Sequence, residues 1–213
     1  MGSSESEEPS DRAGFSDAIH SRFDKIGEYL QVTRSKGILR RYFVMNAFDG
    51  AMTSLGVVIG SYVTSIDNPR TVIGVILVSG VAMAVSGFSG TYMTESAERA
   101  RSLNELEDSM LIDLEETMYG RASRFVSVFA AVVDGSAPFI ASIPCIIPFI
   151  IAVLGLLEIH LAFYTSVTAS LLVLFTLGVF LGKLSEKHAL FSGLKMVVAG
   201  VFVAIVALLL GGH

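Results

Sequence analysis

Five long apolar blocks leave this chain few choices of fold. They run over residues 42–66, 71–94, 125–157, 161–182 and 189–212. Each supplies the roughly 20 apolar residues that a helix needs to cross a hydrocarbon core. Within a bilayer, backbone N–H and C=O groups must be satisfied inside their own segment, so blocks of this length read as helices. A mean hydropathy of +0.65 and a hydrophobic content of 52% agree with an all-α membrane protein of five spans. The third block is longer than one span and contains Pro138, Pro144 and Pro148. No polar turn divides it, so it is read as one long, kinked helix.

The charges lie almost wholly between the blocks and fix an expected orientation. Lys and Arg collect on the cytoplasmic side of membrane proteins. Seven precede the first span, four lie between spans two and three, and Lys183, Lys187 and Lys195 flank the loop before span five. With five spans, fourteen of the 15 fall on one side and only Arg70 on the other. The N-terminus is therefore expected in the cytoplasm and the C-terminus outside. Residues 1–14 are polar and acidic and read as a disordered tail. Over residues 15–36, Phe15, Ile19, Phe23, Ile26 and Leu30 recur at helical spacing and predict a cytoplasmic amphipathic helix. The first 40 residues lack an apolar core segment, so no cleavable signal peptide is expected. The domain of five spans is expected over residues 37–213, with an acidic cytoplasmic connector over 95–124.

Several function classes have no footing here. Cys145 is the single cysteine, which excludes an internal disulfide and any CxxC metal site. It reads as a small buried apolar residue. The four histidines are scattered. There is no phosphate-cradling loop, no nucleophile–base pair and no nucleic-acid footprint.

Chemistry is concentrated in a few residues. Asp49 stands within the first block and is followed directly by Gly50. An aspartate at the centre of a membrane helix costs roughly 2.5–3.5 kcal/mol, so it marks a functional position by default. Residues three and four apart share a helix face, which places Met45, Asn46, Met52 and Thr53 beside Asp49. A carboxylate, an amide, a hydroxyl and thioethers form a mixed hard and soft ligand set that suits later transition metals. The plainer alternative makes Met45 and Met52 lipid or core fillers. On the second span Ser79, Met83, Ser86, Gly90 and Met93 share a face, which is either a donor face or a small-residue packing seam. Asp134 on the third span is again followed by glycine, at a depth similar to that of Asp49. Two such carboxylates could hold a divalent cation or share a proton; alternatively Asp134 bonds hydroxyls on another span. In the connector, Glu95, Glu98, Glu105 and Asp108 fall near one face. They could gather metal ions, or form an ordinary solvated helix.

The order and spacing of short motifs resemble the vacuolar iron transporter family of Fe²⁺ and Mn²⁺ exporters, which includes nodulin-like proteins. Asn46-Ala47-Phe48-Asp49-Gly50, then Thr53-Ser54 and Gly60, is similar to the family's first span. Gly90-Thr91-Tyr92-Met93-Thr94 through Glu98 resembles the end of its second. Ile143 to Phe149, with Pro144 and Pro148, resembles its third-span proline motif. Gly178 through Lys183, and Ser192 to Met196 with Gly200, resemble its last two spans. The resemblance covers roughly residues 40–212. It implies a homodimer of five-span chains and proton-coupled export of Fe²⁺ or Mn²⁺, with Asp49 in the ion path. Three departures stand out. Gly87 replaces a second-span methionine, with Met83 one turn earlier. Thr91 replaces an acid. The connector is much shorter than the family's metal-binding domain, although Glu98 matches the acid that begins it.

The resulting expectation is a non-enzymatic, multi-pass antiporter in the plasma membrane of a prokaryote or a vacuolar-type membrane of a eukaryote. Asp49 would bind metal and proton alternately, with Met83 or Met52 as soft partner. Asn46, Asp134, Glu98, Glu105 and Asp108 complete the candidate metal ligands. The metal is cargo, and no resident cofactor is expected. The expected partners are protons, membrane lipid and a second copy of the chain, with no nucleic acid. The alternatives are an intramembrane aspartyl protease using Asp49 and Asp134, or a membrane metal-binding or scaffold protein that transports nothing.

Overall fold

The computed structural model describes residues 26–31, 33, 35–184 and 188–211. The acidic tail and residues 15–25 of the amphipathic stretch lie outside the described residues. Residues 26–31 are helical. Five long helices follow: α1 Lys36–Val63, α2 Pro69–Met110, α3 Met118–Val153, α4 Ile159–Leu184 and α5 Ala189–Gly211. All five are long and apolar enough to cross a membrane, so the chain is an all-helical, multi-pass membrane protein.

The breaks between helices have local causes. Pro69 opens α2 at the first helical position, where its missing N–H costs nothing. Asn68 precedes it as a cap, its Oδ1 accepting from the Arg70 N–H at 3.0 Å. α2 then continues without a break through residues 95–110. The expected connector is therefore divided: its first half extends α2, and residues 118–124 begin α3. Helix-forming Ala, Glu, Arg and Leu dominate the stretch after Thr94, and nothing there stops the helix. The turn between α2 and α3 is tightly bonded. The Leu114 N–H donates to Glu107 Oε1 at 2.8 Å, and Arg124 Nη2 donates to the Glu115 carbonyl at 2.8 Å.

The chain divides into two compact units. Of the described residues, the smaller takes in those up to 37 together with 94–129. There the Tyr29 ring packs on Phe125 at 5.4 Å, and Phe125 stacks on Phe129 at 5.8 Å. Arg99 pairs with the buried carboxylate of Glu95 at 3.0 Å and donates to Ser35 Oγ at 2.9 Å. Glu95, read from sequence as part of an acidic outer face, is thus an internal ion-pair partner.

The larger unit takes in residues 38–93 and the described residues from 130 onward. Of the most apolar window of α1 and of α3, 44% is buried in each, against 17% for α2, 22% for α4 and 11% for α5. The first and third helices are therefore the centre of the bundle. One apolar cluster joins Ala47, Ala51, Leu55 and Ile59 of α1 to Ala137 and Ala141 of α3 and Leu174 of α4. A second joins Val58, Val72, Ile76, Ile146, Phe149 and Phe163. Small residues at these seams let backbones approach closely, as membrane helices require when lipid offers no hydrophobic drive for association. Between α4 and α5 the approach is extreme: a Cβ on Gly178 would stand 2.6 Å from Gly193 Cα.

Pro138, Pro144 and Pro148 all lie inside the single helix α3. Each lacks the N–H that would bond the carbonyl four residues earlier. For Pro138 that carbonyl belongs to Asp134.

Candidate functional site

Both Asp-Gly pairs serve one geometric purpose. A Cβ on Gly50 would lie 2.5 Å from Pro138 Cα, so α1 and α3 touch backbone to backbone beside Asp49. A Cβ on Gly135 would lie 2.8 Å from the Ala84 carbonyl oxygen, so α3 and α2 touch beside Asp134. Each glycine brings in a neighbouring helix at the residue next to a carboxylate. The two carboxylates consequently line one cavity of about 330 Å³, together with Asn46, Met83, Ser86, Gly87, Gly90 and Thr91.

The lining is polar where comparable spaces are not. A cavity of about 340 Å³ bordered by Phe43, Ile140, Pro144 and Leu172, and one of about 330 Å³ bordered by Val85, Phe88 and Val132, are almost wholly apolar. Those linings suit acyl chains; the lining at Asp49 and Asp134 suits an ion or a proton.

Within the cavity the carboxylates differ. Asp49 is exposed, whereas Asp134 is only 4% exposed. The buried Thr91 hydroxyl donates to Asp134 Oδ2 at 2.5 Å. Asn46 Nδ2 donates to the Asp134 main-chain carbonyl at 3.4 Å. Pro138 has no N–H to bond this carbonyl as residue 138 would in a regular helix, and a side chain of α1 donates there. Gly87 faces both polar groups: a Cβ there would meet Asn46 Nδ2 at 3.1 Å and Asp134 Oδ2 at 3.2 Å.

The sequence-predicted residues separate into two groups. Asn46, Asp49, Met83 and Asp134 come together in the cavity. Met52 packs against the apolar cluster around Leu55 and Leu174 instead. Met45 and Met93 are 60% and 70% exposed and are not part of the lining. The soft donors therefore reduce to the Met83 thioether, among oxygen-bearing side chains from Asn46, Asp49, Ser86, Thr91 and Asp134. Glu98, Glu105 and Asp108 are exposed on the charged end of α2, and Glu105 pairs with Arg101 at 3.0 Å. Among the described residues no three His, Cys, Asp or Glu side chains converge in a metal-binding group. Cys145 is buried, with Sγ 3.0 Å from Ser170 Oγ.

Thr91 and Pro138 were not identified as site residues from sequence. Thr91 is 43 positions from the carboxylate it bonds, and no spacing rule links them. Pro138 did leave a signal, since a proline four residues after Asp134 must free that carbonyl.

No family model matches the chain, and no solved structure matches it. The chain is similar to the uncharacterized protein MJ0645 of Methanocaldococcus jannaschii, with 30% identity over 174 residues. The match covers 80% of this chain and 87% of that protein. It takes in most of both sequences, and on that footing the chain belongs to the family of MJ0645.

Proposed function

We propose that the protein is a membrane transporter that exports a divalent transition metal, Fe²⁺ or Mn²⁺, from the cytoplasm in exchange for protons. The observation that carries this reading is the pairing of Asp49 and Asp134 in one polar cavity among three membrane-spanning helices. A dehydrating cation needs negative charge and oxygen ligands, which carboxylates, an amide oxygen and hydroxyls provide. The Met83 thioether adds a soft donor, favouring a transition metal over Mg²⁺ or Ca²⁺. The motif resemblance to vacuolar iron transporters supports the same reading, and with it a homodimer. The sparsely buried faces of α2 and α5 leave room for a second copy. Flux into proteoliposomes, compared for Fe²⁺, Mn²⁺, Zn²⁺ and Ca²⁺, is the direct test. Absence of flux for all four overturns the proposal.

Two aspartates in one membrane cavity are also the minimum equipment of an intramembrane aspartyl protease. Here both precede glycine, and the Gly-x-Gly-Asp pattern of that class is missing. Metal-dependent flux without peptide cleavage separates the readings.

The proposed orientation has the N-terminus in the cytoplasm. A cysteine placed at Asp67 is then expected to react with an impermeant thiol reagent from outside, and one at Asn104 is not. The reverse labelling pattern inverts the topology.

The exposed acids of α2 are expected to concentrate metal rather than to translocate it. Alanine at Glu98, Glu105 and Asp108 together should lower flux at limiting metal and leave maximal flux nearly intact. Complete loss of transport would move the primary site to this end of α2.

A further inference from the structure

The freed carbonyl of Asp134 gives the cavity a donor that no side-chain motif reveals. In an uninterrupted helix the N–H of residue 138 would bond it. Pro138 has none. Its replacement donor, Asn46 Nδ2, sits at 3.4 Å, beyond the usual 2.7–3.2 Å of an N–H···O bond. The contact of this carbonyl with Asn46 is long, and Asn46 lines the cavity. Asp134, only 4% exposed, also presents its carboxylate, which accepts from the Thr91 hydroxyl at 2.5 Å. Gly87 lets α2 approach closely here: a Cβ at that position would stand 3.1 Å from Asn46 Nδ2 and 3.2 Å from Asp134 Oδ2. Backbone carbonyls are established ligands for cations where membrane helices are unwound; α3 is continuous, so here it is the missing N–H of Pro138 that spares the carbonyl.

We propose that Asp134 contributes a second, inner cation station, built from its carboxylate and its own main-chain carbonyl, with Thr91 as orienting donor and Asn46 as a cap that swings aside. It takes a hard or borderline divalent cation through oxygen ligands, after the ion has passed the more exposed Asp49. Pro138 is the residue that makes the station, because it keeps the carbonyl out of the helical ladder. This inference rests on the transport reading above, but it is tested by binding as well as by flux.

The probe is Mn²⁺, added to purified full-length protein in detergent and followed by its electron paramagnetic resonance signal, with flux measured in parallel proteoliposomes. Pro138→Ala restores an N–H at position 138 and recaptures the carbonyl within α3. It leaves the charge of the cavity unchanged and removes a helix-breaking residue. The expected result is at least a tenfold loss of Mn²⁺ affinity with a thermal midpoint equal to or above wild type. Pro148→Ala, at another proline of the same helix, is expected to change affinity less than twofold. Thr91→Val, nearly isosteric, is expected to weaken binding as well, and it decides the matter if the Pro138 variant does not fold. Wild-type affinity in a folded Pro138→Ala protein overturns the station. So does an equal loss in Pro148→Ala, which would point to general straightening of α3. If wild type binds Mn²⁺ in a Pro138-dependent way but moves no ion, the station stands and the transport reading fails. If wild type transports and Pro138→Ala is indistinguishable from it, transport stands and the station fails.

Discussion

Asp49→Asn should abolish both metal flux and metal-driven proton movement in proteoliposomes while leaving the size-exclusion profile unchanged. Asparagine keeps the shape of the side chain and removes its negative charge and its capacity to carry a proton. Asp49 is exposed within the chain and lines the cavity with Asp134, so its loss halves the negative charge available to a dehydrating ion. Even outer-shell partners of a bound metal are worth about 10–100-fold in affinity or activity, and on the proposed reading Asp49 would be a direct charged ligand, whose loss should exceed that. Asp49→Glu should retain part of the flux, since charge survives with altered reach. Asp134→Asn should cost less than Asp49→Asn, because the amide keeps an oxygen in place and the main-chain carbonyl freed by Pro138 is untouched. Near-normal flux in a well-folded Asp49→Asn protein would remove this residue from the mechanism and leave it a structural role.

Gly50→Ala should cause a failure of a different kind, visible before any transport is measured. The added methyl would stand 2.5 Å from Pro138 Cα and 2.7 Å from the Pro138 carbonyl oxygen. Both are backbone atoms of α3, so no rotamer change can relieve the overlap. Inserting a methyl into packed structure typically costs about 1–3 kcal/mol and occasionally more; here two whole helices have to separate. A lower thermal midpoint and a broadened size-exclusion peak are expected. Gly56→Ala, also within α1, is the control: nothing lies within 4 Å of its Cβ. That change should be neutral or slightly stabilising, because alanine is favoured over glycine in helices by up to about 1 kcal/mol. Equal behaviour of the two variants would mean that the α1–α3 contact is not tight.

The five helices were legible because membrane spans are announced by composition and length, which a single sequence displays directly. The charged stretch was harder. Polar composition after Thr94 signals departure from an apolar block, but helix propensity does not change there, and α2 runs on to Met110. Glu95 was misplaced for a related reason: helical spacing assigns a face but not what covers it, and Arg99 and Ser35 cover it here. Four candidate ligands meet in the cavity, since an ionisable or polar group in an apolar block has few places to go. The methionines were ambiguous because a thioether is as content in a core as in a cavity; only packing sends Met52 to the former and Met83 to the latter. The Thr91–Asp134 bond was out of reach, because it depends on which helices become neighbours.

The glycine seam between α4 and α5 bears on how such a protein can move. Gly178 and Gly182 bring the backbone of α4 against Gly193 and Ala189 of α5, and the Phe175 and Val179 side chains pack closely on Gly193. Any sliding or rotation along that seam would soon drive backbone into backbone. The pair should therefore travel as a single rigid plank. On the transport reading proposed above, the movement that exposes a cation first to one side of the bilayer and then to the other would occur elsewhere in the bundle.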